Sequence, residues 1–151
     1  MTDPDLTTRP ATEEGLPVLF DLHRAVFRAH IEKIWGWDEV WQQRRFREEC
    51  AESETAVVWF AGRIAGYIQI VLEAERLMLR NVAIHPDVQG QGIGAALVEE
   101  MMDRATALGL PVALGVFRTN PRAGVFYERL GFRRAGENET HVKMEWSPGR
   151  H

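Results

Sequence analysis

The sequence predicts a mixed α/β domain around one sheet, with elements in the order β-α-α-β-β-β-α-β-α-β-β. Three observations lead there. Two β-branched and aromatic runs, Thr55–Ala61 and Ile64–Leu72, stand side by side in the middle of the chain. A glycine-rich turn, Gln89-Gly90-Gln91-Gly92-Ile93-Gly94, opens onto a long amphipathic segment. Asn120-Pro121 then starts another helical segment, and a short alternating pair of strands follows it.

In order, Leu6–Arg9 reads as a short first strand stopped by Pro10. Thr12 is placed to cap the next helix, whose apolar positions Leu16, Leu19, Phe20, Leu22, Val26 and Phe27 recur at helical spacing. After Gly36 a second helix begins with Asp38 as its cap. The runs 55–61 and 64–72 form a hairpin about Gly62-Arg63, and Leu77–Ile84 is a third strand ended by His85-Pro86. A helix runs from Ile93 to Leu108, with Leu97, Val98, Met101 and Ala105 on its buried face and Gly109 as its stop. Val112–Phe117 is a strand, Pro121–Leu130 a helix ended by Gly131, and Phe132–Ala135 with Val142–Trp146 a closing hairpin around Glu137-Asn138. With no repeat and no Ser/Gly-rich linker, residues 1–151 are read as one domain.

Composition narrows the function. A net charge of -4 gives no reason to expect a nucleic-acid partner, and the run Arg44, Arg45, Arg47, Glu48, Glu49 reads as a solvated helix face. No apolar run approaches the roughly 20 residues that span a bilayer, so no membrane association is expected. Met1-Thr2-Asp3-Pro4-Asp5 lacks the pattern of a secretory signal, and Cys50 is the only cysteine, which suits a reducing cytoplasm.

A glycine-rich turn before a helix brings unpaired N–H donors and the positive end of the helix dipole to one place, which suits a phosphate. A tight loop entering a helix has the same letters. A Walker-type loop would need Gly-Lys-Ser/Thr, and no lysine lies between Lys33 and Lys143. A dinucleotide fingerprint normally follows the first strand of a parallel sheet, whereas this turn follows three strands that read as an antiparallel meander.

The segment Leu79–Gly94, with Ile84-His85-Pro86 before Gln89-Gly90-Gln91-Gly92-Ile93-Gly94, closely resembles the signature of the GNAT acyltransferases. The block Asn120-Pro121-Arg122-Ala123-Gly124-Val125-Phe126-Tyr127-Glu128-Arg129-Leu130-Gly131-Phe132 resembles the second hallmark of that family. Together they span about a fifth of the chain, in the family's order and spacing. The resemblance implies the GNAT fold and an N-acetyltransferase that moves the acetyl group of acetyl-CoA to a primary amine by direct attack in a ternary complex, without a metal. It implies that the backbone of Val82, Ala83 and Ile84 pairs with the pantetheine arm, that Gln89 through Gly94 with Ala95 hold the pyrophosphate, that Asn120 contacts the pantetheine, and that Tyr127 is the general acid to the departing thiolate. Members of the family are often dimers, and a homodimer is compatible with this sequence without being demanded by it. The alternative is a GNAT-fold module that binds acyl-CoA as a sensor or partner-binding domain without turnover.

A primary amine is mostly protonated at pH 7, so a base or a desolvating pocket must remove its proton. Some relatives carry a Glu on the strand before the Asn block, but here Gly115 stands there. Glu73 and Glu75 are the remaining candidates, against their reading as solvated carboxylates in a turn. The acceptor, a small-molecule or peptide amine, is expected near His30–Trp41, where Trp35 and Trp37 can stack on it and Glu32, Asp38 or Glu39 can attract its charge. Packing of two helices across a bend explains the same tryptophans, and is the reading preferred for Trp41. His23, His30 and His141 show no metal-ligand spacing.

Overall fold

The computed structural model describes residues 5–149; residues 1–4 and 150–151 lie outside it. The chain runs β1 (Leu6–Pro10), α1 (Leu16–Trp35), α2 (Glu39–Glu52), β2 (Glu54–Phe60), β3 (Arg63–Leu72), β4 (Leu77–Ile84), α3 (Ile93–Leu108), β5 (Val112–Phe117), α4 (Pro121–Arg129), β6 (Arg133–Glu137) and β7 (His141–Trp146). The predicted order holds throughout. Short 3-10 turns precede α1 and follow β4, at Glu13–Gly15 and Pro86–Val88. Thr12 caps the first of these turns rather than α1 itself, whose N-cap is Gly15 at the end of that turn. The β2–β3 reversal sits one residue earlier than expected, on Ala61 and Gly62, both at positive φ (51° and 79°). A two-residue hairpin loop requires that conformation to match the twist of its strands.

All seven strands form one sheet in the order β1-β2-β3-β4-β5-β7-β6. Every neighbouring pair is antiparallel except β4–β5. Helices cover both faces, so β3 is buried continuously from Ala65 to Ile70 instead of alternating. One core layer joins α3 to the sheet through Ile93, Leu97, Val98 and Ala105 against Ile68, Leu79, Val112 and Met144. The other joins α1 and α2 through Leu19, Phe20, Leu22 and Phe46 against Val57, Tyr67 and Ala83. In the closing hairpin β7 alternates as expected, but every residue of β6 is exposed. β6 is the sheet edge, and its inward anchor is Phe132, just before the strand.

Candidate active site

Two backbone irregularities in β4 build the site. β4 and β5 pair only at Leu77 with Val112 and Met78 with Ala113. Beyond that point the two parallel strands part, and a gap opens between their C-terminal ends beside Val82, Ala83 and Ile84. The β3–β4 register also shifts, so that Gln69 faces Asn81 while Ile70 faces Leu79. Arg80 is therefore the extra residue of a β-bulge, and such a bulge re-aims the side chains beside it. Both Arg80 and Asn81 consequently line a cavity on the α1–α2 side of the sheet.

On the other flank of β4, Gly66 permits a close strand approach. A Cβ there would fall 2.0 Å from the Ala83 carbonyl oxygen, so no larger residue fits without moving backbone. The turn after β4 is held by the Gln89 side chain, which donates from Nε2 to the Ile84 carbonyl at 2.9 Å. Gly90 and Gly92 both adopt positive φ (80° and 82°), with nothing within 4 Å of where a Cβ would stand. The first helical bond of α3 runs from the Ala96 N–H to the Gly92 carbonyl. The preceding amides thus lack intrahelical partners, and no side chain caps α3, in contrast to α2, capped by Asp38, and α4, capped by Asn120. This is the arrangement of an anion site at a helix start. Gly94 and Ala95 follow in the first turn, and Ile93 is buried in the core. A cavity of about 580 Å³ runs from Ala95 along α4, past Arg122 and Arg129, neither of which forms an ion pair among the described residues.

Asn120 accepts a hydrogen bond from the Ala123 amide at 3.4 Å, which fixes the start of α4 beyond the end of β5. Tyr127 lies on α4, with its ring edge-on to Phe126 and Phe132 at 5.0 and 5.5 Å. Its hydroxyl takes no hydrogen-bond partner among the described residues, and the surrounding protein raises its pKa well above that of a free phenol by desolvation. Tyr127 therefore keeps its proton throughout the neutral range.

The second cavity, also about 580 Å³, lies between α1, α2 and the C-terminal end of β5. Trp35 and Trp41 stand at its walls, 61% and 50% exposed. Trp35 meets Phe117 edge-on at 6.3 Å, and Phe117 packs on His141 at 4.7 Å. His23 bridges two elements, with Nδ1 3.1 Å from the Tyr67 hydroxyl and Nε2 3.3 Å from Gln42 Oε1. Because Gln42 Oε1 can only accept, Nε2 carries the proton and Nδ1 accepts from Tyr67. Burial lowers the pKa of both His23 and His141, which are therefore neutral. The carboxylates of the cavity are Asp38 and Glu49. Asp38 Oδ1 is engaged by the Trp41 amide at 3.0 Å. Burial raises the pKa of Glu49, against the opposing pull of Arg45 and Arg80. A larger cavity, about 700 Å³, lies beside β1, β2 and the end of α2 and contains none of the residues expected to bind cofactor or acceptor or to act in catalysis.

Val82, Ala83, Ile84 and the Gln89–Ala95 turn stand at the C-terminal end of β4, Asn120 and the helix α4 that carries Tyr127 follow the C-terminal end of β5, and Trp35 and Asp38 line the cavity on the α1–α2 side. The structure does not bring in the other residues expected there. Glu73 and Glu75 precede β4, at the end away from Val82; five residue steps along the strand lead from Leu77 to Val82, roughly 16 Å. Glu73 instead pairs with Arg76 at 3.0 Å. Glu32 pairs with Arg28 at 2.6 Å. Trp37 packs near Phe20 and His23 and donates from Nε1 to Glu39 at 2.8 Å, so it joins the helices. Trp41 faces the cavity instead of packing between helices. Glu49 and Arg45, read as part of a solvated face, line the cavity too. Their signal was present: Gln42, Arg45 and Glu49 recur at helical spacing beside the buried Phe46.

Comparisons with known proteins agree with this geometry. The chain is 38% identical over 90 residues to the [ribosomal protein bS18]-alanine N-acetyltransferase of Escherichia coli, covering 58% of this chain and 56% of that protein. It is 34% identical over 79 residues to the 5-NmdU N-acetyltransferase of Pseudomonas phage PaMx11, covering 51% and 55%. The chain thus spans a little over half the length of these curated relatives. Among solved structures, the PaiA N-acetyltransferase of Thermoplasma acidophilum in complex with coenzyme A matches with a TM-score of 0.76 at 18% identity, over 94% of this chain and 98% of that one. A GNAT acetyltransferase of Elizabethkingia anophelis with acetyl-CoA bound matches with a TM-score of 0.71 at 17% identity, over 96% and 99%. Residues 16–132 match the model of the acetyltransferase (GNAT) family. That match covers well over half of the sequence, and with the parted strands, the open helix start and the two motif blocks it leads to one conclusion: the chain belongs to the GNAT acetyltransferase family.

Proposed function

We propose that this domain transfers the acetyl group of acetyl-CoA to a primary amine, by direct attack in a ternary complex. The observation that carries the reading is that β4 loses its pairing with β5 after Met78, while its bulged residues Arg80 and Asn81, just before Val82–Ile84, line the aromatic cavity. The gap between β4 and β5, the uncapped amides of α3 and the cations Arg122 and Arg129 suit a long anionic thioester. The aromatic cavity on the far side of the bulge suits an amine acceptor. In this reading both substrates converge on adjacent residues of β4, so nucleophile and thioester carbonyl can approach without an acyl-enzyme step.

The residues have distinct tasks. The Val82–Ile84 backbone, beyond its last pairing with β5, presents an edge to the pantetheine amides, with the Ile84 carbonyl already held by Gln89, and the amides of Gly92, Ile93, Gly94 and Ala95 hold the pyrophosphate. The side chain of Gln89 shapes that turn through Ile84. Asn120 holds α4 so that Tyr127 faces the departing sulfur, to which its retained proton is donated. Trp35 and Trp41 flank the acceptor, with Asp38 nearby as a source of negative charge. The acceptor is a small-molecule amine or a peptide α-amine; the latter is supported by the relative that acts on an alanine of a ribosomal protein. Neither a nucleic acid nor a membrane has a part in this reading. The net charge is -4, and no helix among the described residues is long and apolar enough to cross a bilayer.

Free-thiol release from acetyl-CoA is the test, measured against a panel of alkylamines, arylalkylamines, amino acids and peptides with free N-termini. Amine-dependent release with recovery of the N-acetylated acceptor is expected. Tight CoA binding with no release from any amine would instead favour an acyl-CoA sensor.

A further inference from the structure

Resting on that reading, we propose that Glu49 of α2 is the carboxylate that takes the proton from the acceptor ammonium, positioned by Arg45 and by the bulged residues Arg80 and Asn81. The cavity lining offers four groups able to accept a proton: His23, Asp38, Glu49 and His141. Both nitrogens of His23 are occupied, by Tyr67 and Gln42. Asp38 is engaged as the cap of α2. His141 stands at the start of β7, with Nδ1 2.8 Å from Thr140 Oγ1 and its ring against Phe117. Glu49 alone among the four sits against Arg80 and Asn81, next in sequence to the Val82–Ile84 edge where the thioester is proposed to lie.

The surroundings hold that carboxylate in place. Arg45 Nε reaches Glu49 Oε1 at 3.3 Å. The Asn81 amide donates to Gln69 Oε1 at 2.6 Å, and Gln69 Nε2 donates to Cys50 Sγ at 3.4 Å. Gln69 is fully buried, so this chain of hydrogen bonds fixes Asn81 beneath the cavity floor. The charged and titratable groups around Glu49 are Arg45, Cys50 and Glu52 on α2, Arg80 on β4, Tyr67 on β3 and, across the cavity, His23 on α1 and His141 on β7. Their combined effect with burial is a carboxylate more basic than an exposed one, which is the direction a general base requires.

The proton balance closes. The ammonium gives one proton to Glu49, and the neutral amine forms the N–C bond while the C–S bond breaks with its electron pair going to sulfur. Sulfur is protonated through Tyr127, which is replenished by the second proton leaving the nitrogen. Glu49 returns its proton to water, so one proton is released per turnover.

The experiment compares wild type, Glu49→Gln, Glu49→Asp and His141→Gln, measuring kcat against pH with both substrates saturating, acetyl-CoA affinity by titration, and Tm. Glu49→Gln is expected to lower kcat by about 100-fold or more, abolish the acidic limb of the profile and leave acetyl-CoA affinity unchanged. Glu49→Asp is expected to lower kcat while keeping the limb. Because burial disfavours the charge at position 49, Glu49→Gln is expected to keep or raise Tm at neutral pH, which a purely structural role would not give. An unchanged limb in Glu49→Gln, or loss of the limb in His141→Gln instead, overturns the assignment. Wild type inactive toward every amine overturns the acetyltransferase reading itself.

Discussion

Tyr127 shows how much a single side chain owes to its setting. Its ring is wedged by Phe126 and Phe132, and its hydroxyl keeps its proton because desolvation opposes the phenolate. Tyr127→Phe is expected to lower kcat by about 100-fold with acetyl-CoA affinity nearly unchanged, read from saturating rates and a CoA titration. Its place was legible from the Asn120–Phe132 block. The role of Glu49 was not, since among neighbouring Arg and Glu residues it has the letters of a solvated face. Only the packing of α2 on the bulge separates it from Glu48 and Glu52. His23 was equally silent, because Tyr67 and Gln42 reach it from 44 and 19 residues away in sequence. Burial lowers the pKa of His23, so the unfolded chain takes up its proton at higher pH than the folded one. The stability this neutral histidine secures is complete above 6.5 and is lost as pH falls below that value toward the depressed folded pKa. His23→Gln is expected to flatten the fall of Tm between pH 7 and 5, with His30 and His141 sustaining the remainder.

At the scale of elements, strands and helices were read to within a residue or two because their periodicity is local. The deviations are those that require a neighbour. Arg80 bulges only because β3 sets its register, and β6 is wholly exposed only because β7 leaves it at the edge. Gly66 looks like any strand glycine until β4 lies 2.0 Å from its missing Cβ. Gly66→Ala is expected to displace Ala83, costing about 1–3 kcal/mol in thermal or denaturant unfolding and weakening acetyl-CoA binding as well. The β2–β3 turn offers the opposite change. Ala61 occupies positive φ, where Asn before Gly is favoured, so Ala61→Asn is expected to raise stability by about 0.5–1 kcal/mol without altering turnover.

Across the whole molecule, one sheet separates two helical layers, and β4 carries both halves of the proposed chemistry on one short stretch. The cofactor side depends on the α3 and α4 starts, the acceptor side on the α1–α2 pair. Ligand binding to the folded state alone should raise stability by about 2.7 kcal/mol at a hundredfold excess of acetyl-CoA over its Kd, a Tm increase of about 5–10 °C for a chain of this size. The most direct test of transfer across the β4 bulge is the initial rate of thiol release with acetyl-CoA and an accepted amine varied together. Direct attack predicts double-reciprocal lines that intersect, with no acetyl group left on the protein. Parallel lines, with acetyl recovered on a side chain such as Cys50, would contradict it.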